Sequence, residues 1–228
     1  MPVVKMESVV KKYLVGKVEV PAINGLSVSI EKGEFAAFAG PSGSGKTTLL
    51  NLFGCLDKPN SGKVFIEDHD IITLSHDQLA NVRNEHIGFI FQSFNLIPVL
   101  TAFENVEFPL LILKKHDAGT RKKMVMDMLG EVGIADLAHR LPNEMSGGQQ
   151  QRVAIARALV KQPDYVLADE PTANLDTKTG QDILKIMRGM NQKNGTTFIF
   201  STHDPKVMDQ AKRVKHIRDG RIESDEKQ

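Results

Sequence analysis

The chain has 228 residues, with 29 Lys plus Arg against 28 Asp plus Glu, 41% apolar and 25% charged residues. That is enough apolar material for a full core, which excludes wholesale disorder. A formal net charge of +1 supplies no global basic field, so nucleic acid is not favoured as a partner, and the single cysteine, Cys55, excludes an internal disulfide or a cysteine-based zinc cluster. The densest apolar stretch, residues 108–113, is too short for a bilayer core of about 30 Å, and the first residues lack the apolar segment of a signal peptide. A cytoplasmic chain with no membrane span of its own is expected.

In chain order, the first 35 residues alternate in short apolar pieces separated by Gly16, Asn24-Gly25 and Lys32-Gly33, the pattern of short antiparallel strands with turns. Phe35-Ala-Ala-Phe-Ala39 is a continuous apolar run before a glycine-rich turn, which suits a strand buried on both faces and opens a parallel sheet. Residues 46–53 read as helix, and 63–67 return to strand alternation between turns at 60–62 and 68–70. Ser75-His-Asp-Gln78 and Thr101-Ala-Phe-Glu104 fit capping boxes at helix starts. Residues 121–132 carry Met124, Met128, Leu129 and Val132 near a helical period, so a mostly helical insert is expected over about 97–160. Residues 165–168 and 197–200 read as short buried strands separated by a helix over about 176–194, as in β-α-β crossovers. Residues 214–217, an Asp219-Gly220 turn and 221–222 read as a closing hairpin, and 224–228 as a short polar tail. One α/β domain spanning 1–228 is the expected organisation.

The chemistry begins at Gly40-Pro41-Ser42-Gly43-Ser44-Gly45-Lys46-Thr47, which matches G-x-x-x-x-G-K-[ST] between a buried strand and a helix. Its glycines let backbone N–H groups and the positive end of the helix wrap a phosphate. Lys46 is placed to meet β- and γ-phosphates and Thr47 to ligand Mg²⁺. Such a site needs a metal-directed carboxylate at a neighbouring strand end, which Asp169 provides; Glu170 follows it and could polarise a water as general base. As bare residues, Asp169-Glu170 would also fit a solvated strand exit. Further on in the same argument, Met145 precedes Ser146-Gly147-Gly148-Gln149, itself a capping box at the start of an obvious helix. Two glycines in a first helical turn cost roughly 1 kcal/mol each relative to Ala, so close approach by an anion is expected to explain them.

Phosphate loop, Ser-Gly-Gly-Gln segment and Asp-Glu pair, in this order and spacing, resemble the ATP-binding cassette family over nearly the whole chain. The resemblance implies a P-loop NTPase fold with a mostly parallel core sheet, an antiparallel β-subdomain and a helical subdomain. It implies ATP and Mg²⁺ as ligands, with Thr48 joining residues 40–47 in the ATP-binding set. It also implies a homodimer of cassettes in which Ser146, Gly147, Gly148 and Gln149 act on ATP held by the other subunit. By the same resemblance, Gln92 contacts Mg²⁺ and the attacking water and senses a membrane partner, and His203 reaches the γ-phosphate. Tyr13 stacks on adenine, and Asp176, within Ala173-Asn-Leu-Asp176, belongs to the loop crossing the dimer interface. Each has a plain alternative: Gln92 a polar strand end, His203 a hydrogen-bonded strand-end histidine, Tyr13 a half-buried strand residue, Asp176 an N-cap. Met145 and Asn174 depart from the commoner leucine and small residue without removing a functional group.

Residues 51–57, 87–98 and 100–106 look like the LolD/MacB branch. They imply an ATPase at the cytoplasmic face of the inner membrane, driving an integral membrane permease in lipoprotein release or export. Phe94, Leu96, Ile97, Val99, Leu100 and Phe103 are then expected to line the groove for that partner, or else to be core. An FtsE-like subunit signalling to cell-wall hydrolases is the alternative. DNA-repair and translation-factor cassettes fit less well, since the chain has no coiled coil, zinc module or second cassette.

Overall fold

The computed structural model describes residues 2–67 and 69–227. Instead of several short strands, the chain opens with two long ones, β1 (Pro2–Val15) and β2 (Val18–Glu31), paired antiparallel across a tight turn at Gly16-Lys17. Asn24-Gly25 is therefore no turn. The register slips between the pairs Val9↔Leu26 and Val10↔Asn24, leaving Gly25 unpaired at φ 69°, a bulge that a side chain would resist. Strands β4 (Ser61–Ile66) and β5 (His69–Asp70) complete an antiparallel sheet ordered β2-β1-β4-β5. The turn expected at 68–70 gives way to this two-residue strand, and Asp68 lies outside the described residues.

The second sheet is ordered β10-β9-β3-β8-β7-β6. It comprises β3 (Phe35–Ala39), β6 (Ile87–Ile90), β7 (Tyr165–Asp169), β8 (Thr197–Thr202), β9 (Arg213–Arg218) and β10 (Arg221–Lys227), parallel throughout except for β10 at the edge. All five residues of β3 are buried, as its apolar run requires. Phe35, Ala37 and Ala39 face one core, where Phe35 meets Phe198 and Phe200 at ring-centroid distances of 5.6 and 4.7 Å. Ala36 and Phe38 face the other, shared with the antiparallel sheet, where Phe38 meets Phe53 at 5.7 Å.

The helices are α1 (Lys46–Phe53), α2 (His76–His86), α3 (Ala102–Leu113), α4 (Ala118–Glu131), α5 (Gly147–Leu159), α6 (Thr177–Asn194) and α7 (Pro205–Gln210). Both capping boxes read from the sequence are formed, by Ser75 with Gln78 and by Thr101 with Glu104. In α4 the fully buried positions are Val125 and Leu129, with Met124 and Met128 packed at the margin.

The expected polar tail is instead strand β10, paired with β9 from Arg221 to Lys227. Asp225 accepts from Arg213 Nε and Nη2, both at 2.7 Å, and from the ammonium of Lys215, whose side chain is 2% exposed. These charges cover a buried cation, so a run that reads as solvated tail is the partner strand of an ion cluster. The Arg213 guanidinium holds the Asp225 carboxyl well below the usual carboxylate range, against the opposing effect of burial.

Candidate nucleotide site

Because β3, β7 and β8 run parallel and in register, with Ala39 opposite Thr202 and Asp169 opposite Ser201, their carboxyl ends bring three segments to one sheet edge. These are the loop at 40–45, the pair Asp169-Glu170, and His203, at the edge where open α/β sheets bind ligands. The loop is tightly confined. A Cβ on Gly40 would lie 2.2 Å from the carbonyl oxygen of Ile217, and one on Gly45, which has φ 105°, would lie 2.5 Å from that of Ala22. Gly43, at φ 80°, has open space where a Cβ would stand. Lys46 Nζ donates to the carbonyls of Gly40 at 2.7 Å and Pro41 at 2.9 Å, folded across the loop, while the buried Ser44 hydroxyl has no hydrogen-bond partner among the described residues. An uncompensated hydroxyl and an ammonium resting on weak acceptors, in a cradle of backbone N–H groups, fit a phosphate.

Thr47 and Asp169 line one small recess with Asn51, Phe91 and Leu167. Burial pushes the Asp169 carboxyl up, with Glu170 adding to the rise and Ser201 and Lys46 opposing it. A hydroxyl and a half-buried carboxylate facing one recess suit a hard divalent cation such as Mg²⁺. Glu170 leaves the strand in the left-handed region, φ 45°, an unusual conformation for a non-glycine residue. Both of its carboxylate oxygens are engaged: His203 Nδ1 donates to Oε1 at 2.6 Å and Thr202 Oγ1 to Oε2 at 3.1 Å. Facing a carboxylate, that histidine nitrogen carries the proton. Neither Thr202 nor this pairing is evident from motif spacing, since strand register creates it.

Gln92 is exposed just beyond β6, and it is not among the residues lining the Thr47–Asp169 recess; Asn174 Nδ2 holds its carbonyl at 2.9 Å. Next to it Phe94 and Asn95 both have positive φ, 59° and 48°, and Arg157 Nη2 and Nη1 donate to their carbonyls at 2.8 and 2.6 Å. Arg157 and Asn174 thus fix the Gln92 loop, a role visible only in three dimensions. Of the apolar residues around it, Leu96 and Phe103 pack against the main core, whereas Val99 is 78% exposed. A separate recess is lined by Leu56, Arg83, Phe89, Phe91, Pro109 and Ile112.

Ser146 and Gln149 form the reciprocal capping box expected of them. Gly148 has, in addition, an intramolecular reason that motif spacing does not reveal. A Cβ on Gly148 would stand 2.4 Å from Thr179 Cγ2, and Gly147 packs near Leu175, Phe94 and the Asn174 carbonyl. Asp176 caps α6, accepting from the N–H groups of Lys178 and Thr179 and from Thr179 Oγ1. Gly148→Ala is expected to destabilise the fold by about 1–3 kcal/mol, the usual cost of overpacking. Adding Thr179→Ser, which removes Cγ2 but keeps the hydroxyl on Asp176, should restore most of the melting temperature in a thermal-unfolding measurement.

Tyr13 lies near the hairpin tip, 36% exposed, its hydroxyl donating to Asp57 Oδ2 at 3.0 Å and its ring 5.0 Å from Lys11 Nζ. Thr48 and Asn51 also approach that hydroxyl.

A family model described as ABC transporter matches residues 23–173. The chain belongs to the ABC transporter family, and its fold is that of the ABC ATPase cassette. It is 48% identical to an uncharacterized ABC transporter ATP-binding protein of Thermotoga maritima, over 99% of this chain and 95% of that one. It is 43% identical to the lipoprotein-releasing system ATP-binding protein LolD of Anaeromyxobacter dehalogenans, covering 98% and 94%. Identity to the macrolide export ATP-binding/permease protein MacB of Syntrophobacter fumaroxidans is also 43%, but over only 31% of MacB. Among solved structures, the dimeric ATP-binding cassette MJ0796 bound to ADP and Pi superposes with a TM-score of 0.91 at 43% identity, covering 98% of both chains. The chain is an ATPase by family, and among its described residues no helix is long and apolar enough to cross a membrane.

Proposed function

We propose that this chain is the ATP-hydrolysing subunit of a LolD/MacB-type transporter, dimerising around two ATP molecules and driving a separate integral membrane permease from the cytoplasmic face of the inner membrane. The observation that carries this reading is the assembly of Lys46, Thr47, Asp169, Glu170 and His203 at one sheet edge, while the capped helix start at Ser146 packs against the segment carrying Asp176. The dimeric MJ0796 structures support pairing of two cassettes, and the likeness to a lipoprotein-releasing system ATP-binding protein and to a macrolide export ATP-binding/permease protein supports work with a permease.

In this reading the backbone N–H groups of residues 42–47 receive the phosphates, and the Lys46 ammonium exchanges its two carbonyl acceptors for phosphate oxygens. Thr47 and Asp169 would hold Mg²⁺, with Gln92 joining them from its loop; bound there, the ion supplies charge neutralisation at the β- and γ-oxygens. Glu170 accepts the proton of the attacking water, and His203 and Thr202 fix the orientation of its carboxylate. Tyr13 offers adenine the ring face opposite Lys11. The Ser146–Gln149 segment of a second copy closes over the nucleotide, with Asp176 at the joint. The permease docks along the 94–103 segment, where Val99 is 78% exposed, together with the recess of Leu56, Arg83, Phe89, Phe91, Pro109 and Ile112.

Size-exclusion chromatography with and without ATP, together with co-purification from membranes, tests the assignment. The expected result is an ATP-dependent dimer and recovery of a permease. A chain that stays monomeric with ATP and recovers no membrane protein sinks it, and a partner linked to cell-wall hydrolases points to the FtsE-like role instead.

A further inference from the structure

At the opposite edge of the parallel sheet, where β6 and β7 begin, three side chains from separate segments converge: Glu67 after β4, His86 at the end of α2, and Asp164 before β7. One ligand atom from each lies within 4.8 Å of the others. His86 Nδ1 and Asp164 Oδ2 are 2.6 Å apart, and the Asp164 N–H donates to the His86 carbonyl at 2.9 Å, so this half of the cluster is fixed by main chain and side chain together. Among the described residues Glu67 makes no ion pair. Glu67 and His86 line one recess with a second imidazole, His69, and with Glu85, and Asp164 is joined to it through His86.

We propose that Glu67, His86 and Asp164, with His69 as a candidate fourth ligand, form a binding site for a first-row transition-metal dication, with Zn²⁺ the best match. Mixed imidazole and carboxylate donors favour such an ion over Mg²⁺ or Ca²⁺, which prefer all-oxygen sets. Tetrahedral ligands about 2.1 Å from zinc stand about 3.4 Å apart, so closing on the ion opens the 2.6 Å His86–Asp164 pair and draws Glu67 inward from within 4.8 Å. Binding replaces the proton between His86 and Asp164 with the metal and relieves the repulsion of Glu67 with Asp164. The ion would tie the antiparallel sheet to the parallel one, away from the nucleotide edge.

The test is titration of the full-length chain with Zn²⁺ against a chromophoric chelator, with Co²⁺ absorption as a report on geometry and Mg²⁺ as control. One equivalent of Zn²⁺ should bind and raise the melting temperature, as any ligand selective for the folded state does. His86→Ala and Glu67→Gln should each weaken binding at least about tenfold, the scale on which metal sites respond to lost ligation or support. His203→Ala, which removes a histidine–carboxylate pair at the nucleotide edge, should leave binding unchanged. Glu67 is exposed, so Glu67→Gln remains a fair test if the His86 variant folds poorly. Absence of saturable Zn²⁺ binding, binding indifferent to both cluster variants, or loss of binding in His203→Ala would overturn the proposal.

Discussion

Glu170→Gln is expected to lower ATP turnover by at least about 100-fold, the lower end of what a positioned general base contributes. ATP affinity and melting temperature should stay close to those of the parent. The substitution is nearly isosteric: the glutamine oxygen can still accept from His203 Nδ1 while its NH2 donates to Thr202 Oγ1, a hydroxyl able to accept, so packing at the strand end survives. What it removes is the ability to take a proton. Phosphate release under steady-state conditions measures the rate, and equilibrium binding of a fluorescent ATP analogue measures affinity. If base chemistry is the role of Glu170, rate and affinity separate; if it only holds the strand exit together, stability falls and turnover does not. His203→Ala should show an intermediate loss of turnover, because the carboxylate is retained and loses one of its two fixing contacts.

Asp225→Ala should destabilise the chain by about 2 kcal/mol, less than the 3–5 kcal/mol for breaking a fully buried pair because Asp225 is 36% exposed. For a chain of this size that is a fall of about 4–8 °C in melting temperature. The loss arises chiefly on the other side of the bond: Lys215, 2% exposed, keeps its charge and loses its carboxylate. The pH dependence has a fixed sign. The folded-state value of Asp225 is depressed, so its contribution is fully present above the ordinary aspartate range of about 4. It is lost as pH falls through the folded value, and the gap between parent and variant should therefore be constant near neutrality and close in strong acid. Chemical denaturation at a series of pH values checks it; a gap that widens toward acid contradicts the ion-cluster account.

The parallel core was legible because its code is local: continuous apolar runs at 35–39, 165–168 and 197–200, separated by glycine turns and a capped helix, admit few other folds. The phosphate loop and Asp169-Glu170 were legible for the same reason, since short segments dictate their own chemistry. What the sequence concealed depends on partners distant along the chain. Strand β10 reads as a charged tail until Lys215 and Arg213 are seen beneath it. Asn24-Gly25 carries a turn signature, and cross-strand pairing makes it a bulge. Gly148 reads as a place for an approaching anion, and nothing in the sequence signals that Thr179, 31 positions later in the numbering, also occupies the space where its Cβ would stand. The bonds from Arg157 and Asn174 that fix the Gln92 loop leave no periodicity at all, because a side chain reaching a distant carbonyl has no characteristic spacing.

The phosphate loop is walled from behind by the last turn of the chain. Gly220 N–H donates to the Ser44 carbonyl at 3.0 Å, Asn24 holds both Gly220 and Asp219 through their carbonyls, and Ile217 closes on Gly40. The loop thus completes its surroundings with residues 217–220, far downstream of it in the numbering. During translation, with domains forming as their residues emerge, α1 and its glycines are made long before that wall exists. Nucleotide binding by a nascent chain that has not reached residue 220 should be correspondingly poor, so the competence of this cassette waits on a segment remote from the loop it serves.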